Sequence, residues 1–253
     1  MKGWLNPNIE DEEKFKEEVS AIFEVYSEIE ALTEEGIHVY SVDEKMGIGA
    51  REHVNEKLTM KSGVTERVDP EYKRHGTSGI IASLNVSTGE IVNPLVQPTR
   101  TELDYRDHIE GVIKLNEGDK HIFLHDCLNT HMSENLVMMV AEYEGIDILD
   151  LGVKGRSGVL KNMVTRREFL MTDTHQIQFV YTPKHCSWLN QIECWFSIIT
   201  RLLLNKRASF KSIAQLEHKI RNFIEFYNDF LKKPFNWNNT GKFLRFDLYL
   251  NSK

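Results

Sequence analysis

Cysteine is scarce in this chain. The three present, Cys127, Cys186 and Cys194, form an odd set without a CxxC pair, which excludes a disulfide framework and points to free thiols in a reducing compartment. No apolar run approaches the length of a membrane span, and the first residues are acidic where a secretory signal would be basic. The expectation is a cytoplasmic protein. With 15 glycines and 6 prolines in 253 residues, neither a collagenous nor a low-complexity chain is possible. An apolar fraction of 41% is ordinary for a globular protein and supports a buried core.

Positive charge is also in short supply overall, with a net of −7. The distribution matters more than the sum. Residues 1–35 hold 11 acidic and 3 basic side chains, so the rest of the chain is close to balance. Within 151–210 the count reverses to 9 basic against 3 acidic. That stretch, with Lys154, Arg156, Lys161, Arg166, Arg167, Lys184, Arg201, Lys206 and Arg207, is either a polyanion-binding surface or a solvated face.

Hydrophobic periodicity organises the remainder. Phe15, Val19, Ile22, Tyr26 and Ile29 recur at helical spacing and predict one amphipathic helix over 10–34, with Gly36 as its stop. Strands are expected at His38–Asp43, Ile80–Val86 and Ile91–Pro98, the last two joined by a Ser87-Thr88-Gly89 turn. Residues 46–76 read as polar and irregular, holding Arg51, Lys57, Lys61, Arg67, Lys73, Arg74 and His75. Leu103–Leu115 reads as a helix. Then His121–Asp126 is a strand, Ser133–Tyr143 a helix capped by Ser133, and Gln176–Tyr181 a strand. Ser187–Leu204 and a segment from Ser212 are amphipathic helices. Five strands mixed with helices describe an α/β fold with a mixed sheet.

Three carboxylates stand out. Asp43 and Asp126 each close a predicted strand, and ligands in α/β sheets bind outside the carboxyl ends of strands. If the two strands are parallel neighbours, both side chains leave the same edge. Glu193 lies on the helix over Ser187–Leu204, whose apolar stripe is Trp188, Ile192, Trp195, Ile199 and Leu202 and whose polar stripe is Asn190, Glu193, Ser197 and Arg201. Converging carboxylates repel one another unless cations neutralise them, and Mg²⁺ is a hard ion that takes oxygen ligands. Taken singly, an Asp at a strand end is more often a turn former or a helix cap. His125, Cys127, His131, His185, Cys186 and Cys194 match no usual zinc spacing.

Four runs carry a family resemblance: YSVDEK (residues 40–45), YKRHGTSG (72–79), FLHDCLNTHMSE (123–134) and YTPKHCSWLNQIECWF (181–196). In this order and over roughly residues 36–245 they resemble the DDE transposases of the mariner superfamily, specifically the bacterial insertion-sequence branch. The resemblance implies a ribonuclease-H-like five-stranded sheet flanked by helices, with an insertion before the last strand. It implies that Asp43, Asp126 and Glu193 are the catalytic, metal-binding triad, holding two Mg²⁺ ions with Mn²⁺ as a substitute. The implied chemistry is hydrolysis at transposon ends to free a 3′-hydroxyl, then its direct attack on target DNA, at TA sites, without a covalent protein–DNA intermediate.

The resemblance also implies double-stranded DNA as partner, a homodimer in the DNA complex, and a bacterial, nucleoid-associated location. Candidate DNA contacts are Arg74, His75, Lys184, His185, Lys154 and Arg156. Asn129 and His131 either orient the triad, touch a phosphate, or are turn residues, and Asn190 either supports Glu193 or touches DNA. Trp188 and Trp195 are expected in the core. The interval from Asp126 to Glu193 is long, and its extra length falls in a basic segment at 145–174, gripping DNA, gripping a second subunit, or forming a surface excursion. Residues 1–35 read as an acidic linker helix in place of a recognition module, 36–208 as the catalytic domain and 209–253 as a C-terminal helix and tail. End recognition is then expected from a separate helix-turn-helix chain. Two other readings remain open: a catalytically silent remnant that binds DNA or an intact transposase, and a nuclease of the same fold that only hydrolyses.

Overall fold

The structure is a computed structural model that describes residues 11–55, 71–205 and 207–236. Lys57, Lys61, Arg67, Lys206 and the tail past residue 236 lie outside the described residues. The acidic helix is two pieces where one was expected. Asp11 caps α1 (Glu12–Ser27) by accepting the Glu13 and Lys14 amides. The helix breaks at Glu28 and resumes as α2 (Ile29–Glu34). Gly36, at a φ of 76°, then turns the chain into the sheet at little steric cost.

The sheet has five strands: β1 (Ile37–His53), β2 (Tyr72–Asn85), β3 (Ile91–Gln97), β4 (Lys120–His125) and β5 (Ile177–Tyr181), in the order β3-β2-β1-β4-β5. β1 pairs antiparallel with β2 and β2 antiparallel with β3, whereas β1–β4 and β4–β5 are parallel. Much of the segment expected to be irregular is strand. β1 continues ten residues past Asp43 and β2 begins at Tyr72, so residues 46–53 and 72–76 form a two-stranded arm. Its polar composition hid it: Ile48 and Ala50 are its buried apolar residues, too short an alternation to stand out among the polar residues around them.

Side-chain parity assigns the two faces of the sheet. Tyr40, Val42, Phe123 and Phe179 point to one face and pack with α3 (Glu102–Ile113), α4 (Glu134–Tyr143) and α5 (Met163–Leu170). Val39, Ile122 and Leu124 point to the other, beneath α1. On that second face α6 (Ile192–Leu202) and α7 (Ile213–Phe226) cover Ile80, Ala82 and Leu84. The basic segment between α4 and β5 is packed in, since Leu151, Leu160 and Leu170 are buried in the first core. Among the described residues, no helix is long and apolar enough to cross a membrane.

A histidine in the first core sets a pH dependence. His108 is buried, with Nε2 bonded to Ser83 Oγ at 2.8 Å, and burial pushes its imidazole down to about 4. Between about pH 6.5 and 4 the unfolded chain takes up a proton that the folded chain refuses, so stability falls as pH falls. The slope contributed by this one residue is at most ~1.4 kcal/mol per pH unit. In chemical denaturation between pH 7 and 4, a His108→Leu/Ser83→Ala double variant should lose less stability than the parent. An identical loss would mean that His108 stays neutral in both states or charged in both.

Candidate active site

The carboxylates come together through the sheet. In the parallel β1–β4 pair, Ser41 lies opposite Leu124, which brings Asp43 and Asp126 side by side where β4 ends and β1 runs on. Both are on the face covered by α1 and α6, in phase with Val39 and Ser41 on one strand and Ile122 and Leu124 on the other. Asp43 is only 7% exposed. Burial, then the neighbouring Asp126 charge, push its carboxyl up to about 7, although it accepts the Glu44 amide at 2.7 Å.

Asp126 has an environment of the opposite sign. Burial favours its neutral form, but a 2.8 Å bond to His131 Nδ1, the charge on His131 and the Leu128 amide at 3.0 Å outweigh it. Its carboxyl therefore lies below the ordinary range. His131 is fully buried. Burial would strip its proton, yet bonds to Asp126 and to Glu44 Oε2 at 3.2 Å hold it cationic, with a pKa of about 10. Arg100 closes the chain with a 3.0 Å ion pair to Glu44, itself 2% exposed. An Arg100–Glu44–His131–Asp126 chain of contacts, buried at Glu44 and His131, thus fixes one aspartate of the pair.

Glu193 arrives from a different layer. The expected helix over 187–204 starts later: a 3-10 turn, Ser187–Leu189, comes first, Asn190 is extended, and α6 begins at Ile192. Ser41, two residues before Asp43, receives the Ile192 amide at 2.8 Å and donates to Asn190 Oδ1. Asn190 Nδ2 donates to the Val42 carbonyl at 2.8 Å. From α1, the Tyr26 hydroxyl donates to the Leu189 carbonyl at 2.9 Å and takes the Gln191 amide at 3.3 Å. These bonds hold the first turn of α6 against the strand that carries Asp43. Burial raises the Glu193 carboxyl, Lys45 opposes the rise and the Asp126 charge adds to it, so Glu193 and Asp126 feel one another.

Asp126 and Glu193 line one cleft of roughly 730 Å³ with Lys184, His185, Trp188 and Ser197. Among the described residues, no three His, Cys, Asp or Glu side chains are already drawn close enough to hold an ion. The donor set nonetheless suits a hard divalent cation: three carboxylates, one of them raised to about 7 by burial and then by its neighbour's charge, a repulsion that a cation would relieve.

Several expected contacts are placed differently. Asn190 is buried and both ends of its amide are used inside the protein, so it supports Glu193 and does not face DNA. His131 likewise has no exposed surface and orients Asp126. Trp195 is in the core as expected, but Trp188, in the turn before α6, is 39% exposed and lines the cleft. Asn129, Lys184, His185, Arg74 and Arg156 are exposed. Lys154 is paired with Glu134 at 2.9 Å and His75 with Glu52 at 2.9 Å. Arg100, Glu44, Ser41 and Tyr26 lie outside the sequence expectation. Only Glu44, adjacent to Asp43, carried any local signal.

The five-stranded mixed sheet, with Asp43 on β1, Asp126 just past the end of β4 and Glu193 in the first turn of α6, is the fold of a DDE-type catalytic domain. The chain belongs to the DDE superfamily endonuclease family, whose model matches residues 38–217. Among solved structures it is similar to the Mos1 strand transfer complex, with a TM-score of 0.52 and 13% identity over 90% of this chain and 60% of that one. The Mos1 mariner paired end complex with Mn aligns at a TM-score of 0.49 and 13% identity, over 90% of this chain and 61% of that one. The fold is ribonuclease-H-like. The chain spans about 60% of the length of the protein in those complexes. No curated protein matches it.

Proposed function

We propose that this chain is the catalytic core of a transposase of the mariner superfamily's bacterial insertion-sequence branch, cutting DNA at transposon ends and joining the freed ends to target DNA. The observation that carries the reading is the tie between Ser41 and Asn190, which brings Glu193 to the strand edge where Asp43 and Asp126 already stand together. Asp43, Asp126 and Glu193 would hold the divalent cations, two Mg²⁺ with Mn²⁺ as a substitute. When bound, such ions activate an attacking oxygen and stabilise a leaving one.

The chain's own residues supply position and charge. His131, cationic and buried, keeps Asp126 ionised and turned toward the cleft, while Glu44 and Arg100 keep His131 in place. Lys184 and His185 stand at the rim of the cleft, where a phosphodiester backbone would pass, and the exposed Asn129, Arg74 and Arg156 are further candidate DNA contacts. Strand transfer needs no protein nucleophile, because the 3′-hydroxyl of one strand attacks a phosphate of another. Insertion at TA dinucleotides, action as a homodimer on paired ends, and end recognition by a separate helix-turn-helix unit belong to the same reading.

The test uses DNA with pre-exposed 3′-hydroxyl ends, Mg²⁺ or Mn²⁺, and the parent beside Asp126→Asn. Joining should be metal-dependent and fall at least ~10³-fold in the variant, the loss expected when several kcal/mol of metal-ion catalysis disappear. Equal joining by both proteins would sink the assignment of Asp126. Hydrolysis without joining would reduce the reading to a nuclease.

A further inference from the structure

A second cleft, of about 550 Å³, opens beyond the triad, between the β1–β2 arm and the end of α6. It is continuous with the active site by two routes. Along β1, Lys45 lines it two residues after Asp43, and the Lys45 charge reaches Glu193. Along α6, Glu193 and Ser197 line the catalytic cleft, and Thr200, on the same helical face, lines the second. Among the described residues, no carboxylate borders this second cleft.

Its outer end is built around an exposed tyrosine. Arg51 and Arg74 are cross-strand partners, and both guanidiniums lie over the Tyr72 ring, at 5.0 and 5.6 Å from its centroid. Arg74 Nη2 also donates to the Tyr72 hydroxyl at 3.1 Å. Lys45 lies over Phe196 at 5.8 Å. Among the described residues none of these three cations has a carboxylate in ion-pair contact, although the chain as a whole is acidic. The strand beneath is kept bare: a Cβ at Gly49 would meet Arg51 Nε at 3.2 Å, so glycine leaves room for the guanidinium stem to lie along β1.

We propose that this cleft is a track for the phosphodiester backbone of duplex DNA adjoining the scissile phosphate. Lys45 takes the phosphate nearest the triad. Arg51 and Arg74, held as a pair on the Tyr72 ring, take phosphates farther out. Tyr72 is a positioning residue, ordering two long side chains before DNA arrives, and guanidiniums arranged this way suit phosphate oxygens and read no sequence. From Lys45 to Arg51 the strand covers at most ~20 Å at about 3.3 Å per residue. At about 3.4 Å per base pair the track spans five or six base pairs on one side of the cut. This rests on the DNA-cutting reading above.

The experiment measures affinity for duplex DNA against salt concentration, with a series of duplexes shortened on one side of the cut. In an Arg51→Gln/Arg74→Gln double variant the slope of log K against log salt should shrink by about 2, close to 0.9 for each phosphate no longer neutralised. The parent should lose affinity once fewer than about six base pairs remain on that side, and the double variant should be indifferent to the same shortening. Tyr72→Leu should lose part of the slope and Tyr72→Phe should keep it, because the ring and not the hydroxyl aligns both cations. Lys114→Ala, paired with Glu110 away from the cleft, is the control. A parent slope in the double variant would overturn the track while leaving the DNA reading intact. Failure of the parent to bind any duplex would overturn the DNA reading itself, and the track with it.

Discussion

Asp43→Asn should abolish strand cleavage and, in the absence of metal, yield a more stable protein than the parent. The two effects have one cause. Asp43 is buried beside Asp126, and this raises its carboxyl from an ordinary 3.8 to about 7. In the folded state it therefore retains a proton that the unfolded chain has given up, and stability declines as pH rises from about 4 through 7. Above pH 7 the folded protein carries the full penalty of a buried, ill-paired charge, on the order of 2 to 4 kcal/mol. Asparagine keeps the acceptor for the Glu44 amide and drops the charge. Chemical denaturation in EDTA should show the variant ahead at pH 8, with the gap closing toward pH 4. Divalent metal should stabilise the parent and leave the variant unmoved, since ligands stabilise only the state that binds them. Cleavage should fall at least ~10³-fold, as several kcal/mol of metal-ion catalysis are lost. Equal stability of the two proteins at pH 8 would show that Asp43 ionises without cost and that the triad is not held under electrostatic stress.

Much of this site was legible because strands keep strict parity. Asp43 with Val39 and Ser41, and Asp126 with Ile122 and Leu124, had to share a face whatever the fold, and parallel pairing of β1 with β4 then joins them. The Glu193 region was legible only in part. Treating 187–204 as one helix puts Trp188 in the core and Asn190 on the outer stripe. The 3-10 turn and extended Asn190 shift the phase, so Trp188 emerges at the cleft and Asn190 turns inward. Arg100 had no local pattern to find it by, being brought to Glu44 from the loop that follows β3. The arm of β1 and β2 was hidden for a different reason: it buries only Ile48 and Ala50, so most of its sequence looks like a loop.

Asn190→Ala is the second change expected to have a large effect, and it separates positioning from binding. The Asn190 amide ties the turn before α6 to β1: its oxygen takes the Ser41 hydroxyl and its nitrogen reaches the Val42 carbonyl, while the backbone on either side is held by Tyr26 of α1. Alanine leaves a buried hydroxyl and a buried carbonyl short of partners, at about 1 to 3 kcal/mol for each group so stranded. The first turn of α6 is then free to drift from β1, carrying Glu193 with it. A misplacement of about 1 Å in catalytic geometry costs on the order of 10²-fold in rate. The expected result is a loss of that size in kcat with DNA affinity unchanged, because Asn190 is buried and faces no DNA. Asn190→Asp should be worse than alanine for stability, since it keeps the acceptor for Ser41 but sets a carboxylate against the Val42 carbonyl. A variant that loses DNA affinity and keeps kcat would assign Asn190 to the DNA surface and undo the argument that Ser41 and Asn190 tie Glu193 to the strand of Asp43. A loss of kcat that Ser41→Ala reproduces, with the double variant no worse than either single change, would show that the pair acts as one clasp.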